Sequence, residues 1–353
     1  MKKSYNLFLK FFLILLTGAV INISAQDLEE TLSNLSADAA GAYVAPIVTG
    51  FGSNLNSGWF SYPPDPVKLG FTLRARVVGT GTFFSDEDEN FTATGNFRYN
   101  SQQADAILRN SGLQPGTANY NNARNALLSQ EWSVSFSGPT IIGSEDEFLR
   151  VRFSGGSVGG QQIQPYEEVL EDVYGYLDGL SLFPSGNVQL TAGTVMGTNL
   201  VFRWFPSIDI EDLGKFTFYG IGAIHNVNVW MKNPLPVDLS VGGFYQSLEV
   251  GDVFESSATQ FSLYVSKTFG GVFAITPYIG LSTESSNTTV SYQYSYDTPA
   301  GPEAVNVEFD LDGENNFGFT TGLSLKLAII NLNFDYKAAN SGTISAGLSF
   351  GIL

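Results

Sequence analysis

Beyond residue 50 one pattern recurs along the chain: apolar and polar residues take turns. Leu69, Phe71, Leu73, Ala75 and Val77 alternate with Lys68, Gly70, Thr72, Arg74 and Arg76. Leu149, Val151 and Phe153 alternate with Arg150, Arg152 and Ser154, and Phe261, Leu263 and Val265 with Ser262, Tyr264 and Ser266. Leu332, Phe334 and Tyr336 alternate with Asn331, Asn333 and Asp335. The chain closes with Ile344, Ala346, Leu348, Phe350 and Ile352 set against Ser345, Gly347, Ser349 and Gly351. Successive side chains on a strand point to opposite faces, so each run is a strand with one apolar and one polar face.

A soluble sandwich would show the same alternation. Three features favour a closed transmembrane barrel. Several runs reach ten residues or more, whereas an ordinary strand has about five or six and a membrane-spanning one about 9–11. Gly, Ser, Thr and Asn crowd the polar face, as a wet interior requires. The chain also ends inside a strand, with Phe350 near its terminus. Closure follows because hydrocarbon cannot satisfy the hydrogen bonds of a free sheet edge.

The pattern predicts an all-β fold: a transmembrane antiparallel β-barrel of about fourteen strands. They are placed near 51–61, 68–80, 91–99, 131–137, 147–155, 187–195, 199–206, 215–231, 237–250, 258–269, 273–296, 303–327, 330–338 and 341–353. The two longest joins, 100–130 and 156–186, follow odd-numbered strands, and short joins follow even-numbered ones. Barrels show that segregation of long outer loops from short periplasmic turns. Both chain ends then lie in the periplasm, and the eleventh and twelfth strands extend above the membrane as a ribbon. Strand counts of twelve or sixteen stay open, since boundaries read this way shift by about 2–4 residues. Trp59, Trp132 and Trp204 fall near outer strand ends and Trp230 near an inner one, either as an aromatic girdle or as ordinary strand aromatics.

The first fifty residues read differently. Lys2, Lys3 and Lys10 precede Phe11-Phe12-Leu13-Ile14-Leu15-Leu16, and Ile23-Ser24-Ala25 follows. This is the layout of a secretory signal over 1–25, too short and too interrupted for an anchor. Residues 26–50 form a helical plug or cap, with a helix over 27–44, acids in its first turn and Pro46 to end it. The barrel occupies 51–353. Helical stretches at 102–109 and 166–174 decorate the outer loops.

Composition narrows the options. The chain has 353 residues, 28 Phe, 16 Tyr, no Cys and 14% charged residues, against about 25% in ordinary soluble domains. So many aromatics exclude a disordered chain, and no apolar run of about 18 residues follows the leader. Without residues 1–25, 14 basic residues face 34 acidic ones, a net charge of −20. Such a chain repels nucleic acid.

Candidate chemistry is sparse. His225 is the single histidine and shares a face with Ile221, Ala223, Val227 and Val229, an outward or interfacial place. That argues against a Ser–His–acid enzyme and against a histidine metal site. Gly155-Gly156-Ser157-Val158-Gly159-Gly160 lacks the Lys-Ser/Thr of a phosphate loop. Asp86-Glu87-Asp88-Glu89-Asn90 offers oxygen ligands but not the spacing of a calcium loop, and reads as a solvated turn. No cofactor and no metal are expected. The arginines are more informative. Arg74, Arg76, Arg150 and Arg152 fall on polar faces, and an arginine at the lipid midplane costs about 2–4 kcal/mol, so all four should face the lumen, with Arg98 and Arg203 as possible companions. There they pair with barrel acids such as Asp335 or with the N-terminal helix, or they hold the carboxylate of a ligand.

The stretches Gly197-Thr198-Asn199-Leu200-Val201-Phe202-Arg203-Trp204-Phe205-Pro206, Gly220-Ile221-Gly222-Ala223-Ile224-His225-Asn226, Pro234-Leu235-Pro236-Val237-Asp238-Leu239 and Asn54-Leu55-Asn56-Ser57-Gly58-Trp59 resemble a family of uncharacterised secreted barrel proteins. That family is similar in layout to the outer-membrane long-chain fatty-acid transporters. The resemblance implies fourteen strands, an N-terminal plug and passive uptake of hydrophobic compounds. The Asn-Pro-Ala-Ala type motif of the transporter plug is absent, the nearest proline being Pro46 in Ala45-Pro46-Ile47, so no ligand residue carries over. The expectation is an outer-membrane barrel that passes a small hydrophobic or amphipathic molecule. The alternative is a structural or accessory barrel of a secretion or surface-assembly machine. Membrane lipid, a small amphipathic ligand and other outer-membrane proteins are the expected partners.

Overall fold

The computed structural model describes residues 37–99, 101–158, 161–171, 173–210, 214–298 and 301–352; the expected signal over 1–25 and the start of the 27–44 helix lie outside them. In chain order the elements are α1 (Ala37–Leu55), β1 (Leu69–Phe83), β2 (Asn90–Phe97), α2 (Ser101–Asn110), α3 (Ala118–Ser129), β3 (Trp132–Pro139), β4 (Leu149–Phe153), β5 (Gly156–Val158), β6 (Gln161–Ile163) and β7 (Tyr166–Leu170). There follow β8 (Leu182–Val195), β9 (Thr198–Ile210), β10 (Gly214–Asn226), β11 (Asp238–Val250), β12 (Phe254–Ser266), β13 (Phe269–Gly270), β14 (Phe273–Thr298), β15 (Gly301–Asp312), β16 (Phe317–Leu327), β17 (Ile330–Ala338) and β18 (Thr343–Ile352). The described residues form two compact units. One holds Ala45–Ser85 and Leu180 onward; the other holds Asp86–Gly179 and α1 up to Val44.

The first unit is a closed antiparallel barrel. Its strands follow one another as β12-β11-β10-β9-β8-β1-β18-β17-β16-β14, and β14 returns to pair with β12. That makes ten wall strands, not fourteen. The four surplus strands of the sequence reading have identifiable fates. The stretch 51–61 is the end of α1 and the irregular chain after it. The stretches 91–99, 131–137 and 147–155 correspond to β2, β3 and β4, which join β7 in a separate four-stranded sheet of the second unit. Period two reports a one-sided strand but not what covers its apolar side. In the second unit helices cover it: Trp132 and Ile163 pack with Ala104, Leu108, Tyr120, Ala123 and Leu127 of α2 and α3.

On the wall the alternation sorts as a membrane barrel requires. Leu69, Phe71 and Leu73 are exposed on the outside, while Thr72, Arg74 and Arg76 are buried inside. Phe261, Leu263, Ile279, Leu281 and Phe334 continue the outer apolar surface, and Gln260, Ser262, Ser282 and Asn333 the inner polar one. The ribbon is present. β14 pairs with β12 as far as Val290 and continues to Thr298 paired with β15 alone. The expected strand 303–327 is therefore two, β15 and β16, which pair with successive lengths of β14.

Two helix assignments change. α1 runs through Pro46 to Leu55 rather than stopping before the proline. A proline removes one helical hydrogen bond, a loss outweighed here by burial of Ile47, Val48, Ser53, Asn54 and Leu55 beyond it. Within the stretch 166–174, Tyr166–Leu170 is not helical but pairs antiparallel with β4. α3 was not foreseen. Its cap is legible afterwards: the Thr117 hydroxyl accepts from the Tyr120 N–H at 3.2 Å, the usual N-cap arrangement.

Candidate functional site: the occupied lumen

The barrel encloses part of its own chain. From Ala45 the second part of α1, and then residues 56–64, pass along the lumen. At one end Asn54 Nδ2 donates to Phe183 O at 2.8 Å and Asn315 Nδ2 to Ser53 Oγ at 2.7 Å. At the other end Asn226 Nδ2 donates to Pro64 O at 2.7 Å. Residues Ser53, Asn54, Asn56, Ser57, Trp59, Phe60 and Ser61 are all buried. The plug or cap was expected over residues 26–50; the length of chain enclosed by the wall is 45–64.

The grip on this plug follows from helix chemistry. The last carbonyls of a helix lack intrahelical partners and carry the negative end of its dipole. Here the wall supplies the donors. Lys337 Nζ reaches Ser53 O at 3.5 Å and Asn56 O at 3.3 Å. Gln246 Nε2 donates to Leu55 O. Just past the helix, Arg203 Nη1 donates to Ser57 O at 2.9 Å and Arg76 Nη1 to Gly58 O at 2.7 Å. Arg74 Nη1 donates to Ser61 Oγ at 3.1 Å. Strand register explains the convergence: Arg76 lies opposite Gln189, Gln189 opposite Arg203, Arg203 opposite Gly220 and Gly220 opposite Gln246. One row across five adjacent strands therefore faces the plug.

Aromatic rings complete the contact. Trp59 stacks on Phe244 at 4.4 Å and beneath the Arg203 guanidinium at 3.7 Å, a desolvated cation–π contact of about 2 kcal/mol. Phe60 stacks on Tyr264 at 4.3 Å and meets Tyr278 edge-on at 4.9 Å. A side chain at Gly220 would meet Gln246 Cγ at 2.7 Å and Trp59 Cη2 at 3.2 Å, so glycine there leaves room for both. A lumenal cavity bounded by Asn56, Trp59, Phe60, Tyr264, Tyr278 and Asp335 has a volume of about 10 Å³, room for roughly one water.

Six charged side chains are buried among the described residues: Arg74, Arg76, Arg203, Lys337, Glu284 and Asp335. Glu284 is taken up by Lys337 at 2.8 and 2.9 Å and by Gln260 at 3.4 Å. Asp335 accepts from Tyr278 OH at 2.8 Å and from the Ser345 hydroxyl. No described carboxylate lies within ion-pair distance of Arg74, Arg76 or Arg203, whose acceptors are all neutral. Arg74 Nε, Arg76 Nε and Nη2, and Arg203 Nη2 meet no protein acceptor. Asp335 acts on Arg76 and Arg203 from beyond ion-pair distance, and a buried charge without a contact partner costs several kcal/mol.

The expected arginine set is thus split. Arg74 and Arg76 face the lumen, and Arg203 joins them. Arg150 and Arg152 do not. They lie exposed on β4 of the second unit, where Arg150 approaches Glu167 at 3.9 Å. Their alternation with Leu149, Val151 and Phe153 is as regular as that of β1, but the sheet it builds is covered by helices rather than by lipid. Arg98 is exposed just after β2. Lys337 was missed, although it continues the polar face of Asn331, Asn333 and Asp335. Trp59 belongs to the plug and Trp132 to the second unit. His225 pairs through Nδ1 with Thr198 Oγ1 at 3.0 Å and through Nε2 with Trp230 Nε1 at 2.9 Å, so both ring nitrogens are engaged. Asp86–Asp88 is a short, exposed 3-10 turn.

A closed wall with apolar side chains outward and polar ones inward inverts the pattern of a soluble barrel and needs hydrocarbon around it. The protein is an outer-membrane β-barrel. It belongs to the family of unknown function DUF6588, whose model matches residues 1–352. No curated protein matches the chain. Among solved structures it is similar to a loop-deletion mutant of OmpT, an outer membrane protein of Vibrio cholerae (9% identity, 81% of this chain and 100% of that one, TM-score 0.24). It is also similar to the transport unit of the autotransporter AIDA-I from Escherichia coli (10%, 88% and 97%, TM-score 0.25) and to the outer membrane protein OpdK from Pseudomonas aeruginosa (10%, 80% and 98%, TM-score 0.17). Strand pairing, not these likenesses, makes the chain a barrel.

Proposed function

We propose that the protein is a passive conduit of the outer membrane for a small amphipathic molecule, shut at rest by residues 45–64. The observation that carries this reading is the nature of the plug's attachment. A separate length of chain, rather than wall side chains, fills the lumen, and the wall cations hold it through neutral carbonyls and rings. A carboxylate is a stronger partner for a guanidinium than a carbonyl is, so an amphiphile bearing one competes for the same row. Uptake of labelled fatty acids and of neutral aromatic hydrocarbons into proteoliposomes tests the proposal. Flux above that of protein-free vesicles is expected, faster for the carboxylates. Absence of flux for every solute rejects it.

A second reading has its own support. The described lumenal cavity beside Trp59 and Phe60 admits roughly one water, as a barrel that never conducts would also show. On this reading the wall is a membrane mount for the folded unit of residues 86–179, acting as a structural or accessory subunit. Vesicles without flux, together with a partner retained through purification by that unit, identify it.

A further inference from the structure

The buried charges of the lumen do not balance. Four cations, Arg74, Arg76, Arg203 and Lys337, stand against two acids, Glu284 and Asp335. Lys337 and Glu284 neutralise each other, and the Asp335 carboxylate, hydrogen-bonded by the neutral Tyr278 and Ser345 hydroxyls, offsets one charge of the arginines from beyond contact distance. The remainder concentrates on the three arginines, which are 4%, 2% and 0% exposed. They also converge. Their acceptors on the plug, Ser57 O, Gly58 O and Ser61 Oγ, lie within five residues of chain. On the wall Arg76 and Arg203 flank Gln189, and Arg74 is two residues along the same face of β1. Four of their N–H positions, Arg74 Nε, Arg76 Nε and Nη2, and Arg203 Nη2, find no protein acceptor while fully buried.

We infer that the lumen binds one small inorganic anion, of the size of chloride, among Arg74, Arg76 and Arg203 beside residues 57–61. Three buried guanidiniums set against the one carboxylate of Asp335 keep their protons and need a further anion close by. The packed lumen limits that anion to a small one. This counter-ion is independent of the transport reading, since a barrel that never conducts would need it as well. It joins the plug to the wall: Arg76 and Arg203 give one N–H each to a plug carbonyl and turn others to the anion.

The test is diffraction from the full chain crystallised in bromide, with data at the bromine edge. One anomalous peak within hydrogen-bonding reach of at least two of the three guanidiniums is expected, and it should vanish in Arg203→Gln. Arg74→Gln, at the edge of the trio, serves if Arg203→Gln does not fold. In solution, replacing chloride by gluconate at constant ionic strength should lower the unfolding temperature of the wild type by several degrees and leave Arg203→Gln unmoved. Only water among the arginines, or bromide confined to the outer surface as an adventitious ion only, overturns the inference. Crystals grown with octanoate separate the other source of negative charge: a carboxylate bound at the trio where bromide does not bind also overturns it.

Discussion

At Lys337 the cost of a single change is set by what is left behind. Its ammonium and the Glu284 carboxylate are both buried and joined at 2.8 Å. Lys337→Met strands a carboxylate in the lumen and removes the lysine contact from Asn56 O, while Ser53 O keeps the Ser57 hydroxyl at 2.6 Å. Breaking a buried pair from one side costs about 3–5 kcal/mol, while replacing both partners with apolar groups is often neutral. In urea titrations of vesicle-folded protein, Lys337→Met should lose stability of that order, and Lys337→Met/Glu284→Leu should recover most of it. Equal losses in the single and double variants would mean that the carbonyl contacts, not the ion pair, dominate. Depth in the membrane decides a second case. Ile279 is half exposed in the middle of the spanning part of β14, and Phe273 is exposed at its start. Ile279→Arg should cost about 2–4 kcal/mol and Phe273→Arg no more than about 1 kcal/mol, measured by the same titration. Matching costs at the two positions would remove the hydrocarbon from around the wall.

Among elements, the helical pair of the second unit carries a pH dependence of known sign. Asp105 on α2 accepts from Arg124 Nε at 2.6 Å and from Tyr120 OH at 2.8 Å, both on α3. The Arg124 hydrogen bond, followed by that of Tyr120, holds the Asp105 carboxyl below the usual carboxylate range. A folded value below the unfolded one means stability that is complete above the unfolded value, about 3.9, and is lost as pH falls through the folded value. Proteolysis of the full chain within α2 and α3 should therefore rise below about pH 4, and Asp105→Asn should show the raised rate at neutral pH. A rate independent of pH in the wild type would remove the coupling.

The same elements show what the sequence discloses. β1, β8 to β12, β14, β16, β17 and β18 were legible because a wall strand must alternate over its whole membrane span. β3 and β4 alternate as cleanly, yet Trp132 on β3 packs under α2 and α3. Alternation is a property of one strand, whereas closure is a property of all of them. The plug was half legible for a related reason. A helix was expected at the N-terminus, but Asn54-Leu55-Asn56-Ser57-Gly58-Trp59 read as a strand, since polar residues buried against a polar wall imitate a polar face. Of the candidate cations, Arg74 and Arg76 were readable because lipid excludes arginine. Arg150 and Arg152 were misplaced by the same rule, applied to a sheet whose apolar side is packed by helices.

For the whole molecule the decisive question is whether the plug moves, and the absence of native cysteine makes it testable by cross-linking. A Cβ built on Gly50 of α1 falls 3.3 Å from Phe183 Cβ on β8, close to the separation of about 3.5–4.5 Å that a disulfide spans. Gly50 has ordinary helical backbone, so cysteine there is not strained by a left-handed φ. Phe183→Cys sacrifices ring contacts with Phe51 and Phe84, which the reduced form of the same variant controls for. In proteoliposomes the reduced double variant Gly50→Cys/Phe183→Cys should carry amphipathic carboxylates as the wild type does. Oxidation should abolish that flux, and reductant should restore it. The disulfide leaves every lumenal cation in place and removes only the freedom of residues 45–64. Unchanged flux in the fully oxidised form would mean that solute passes while this helix stays against the wall, and the plug would then be a fixed lining of the barrel rather than its gate.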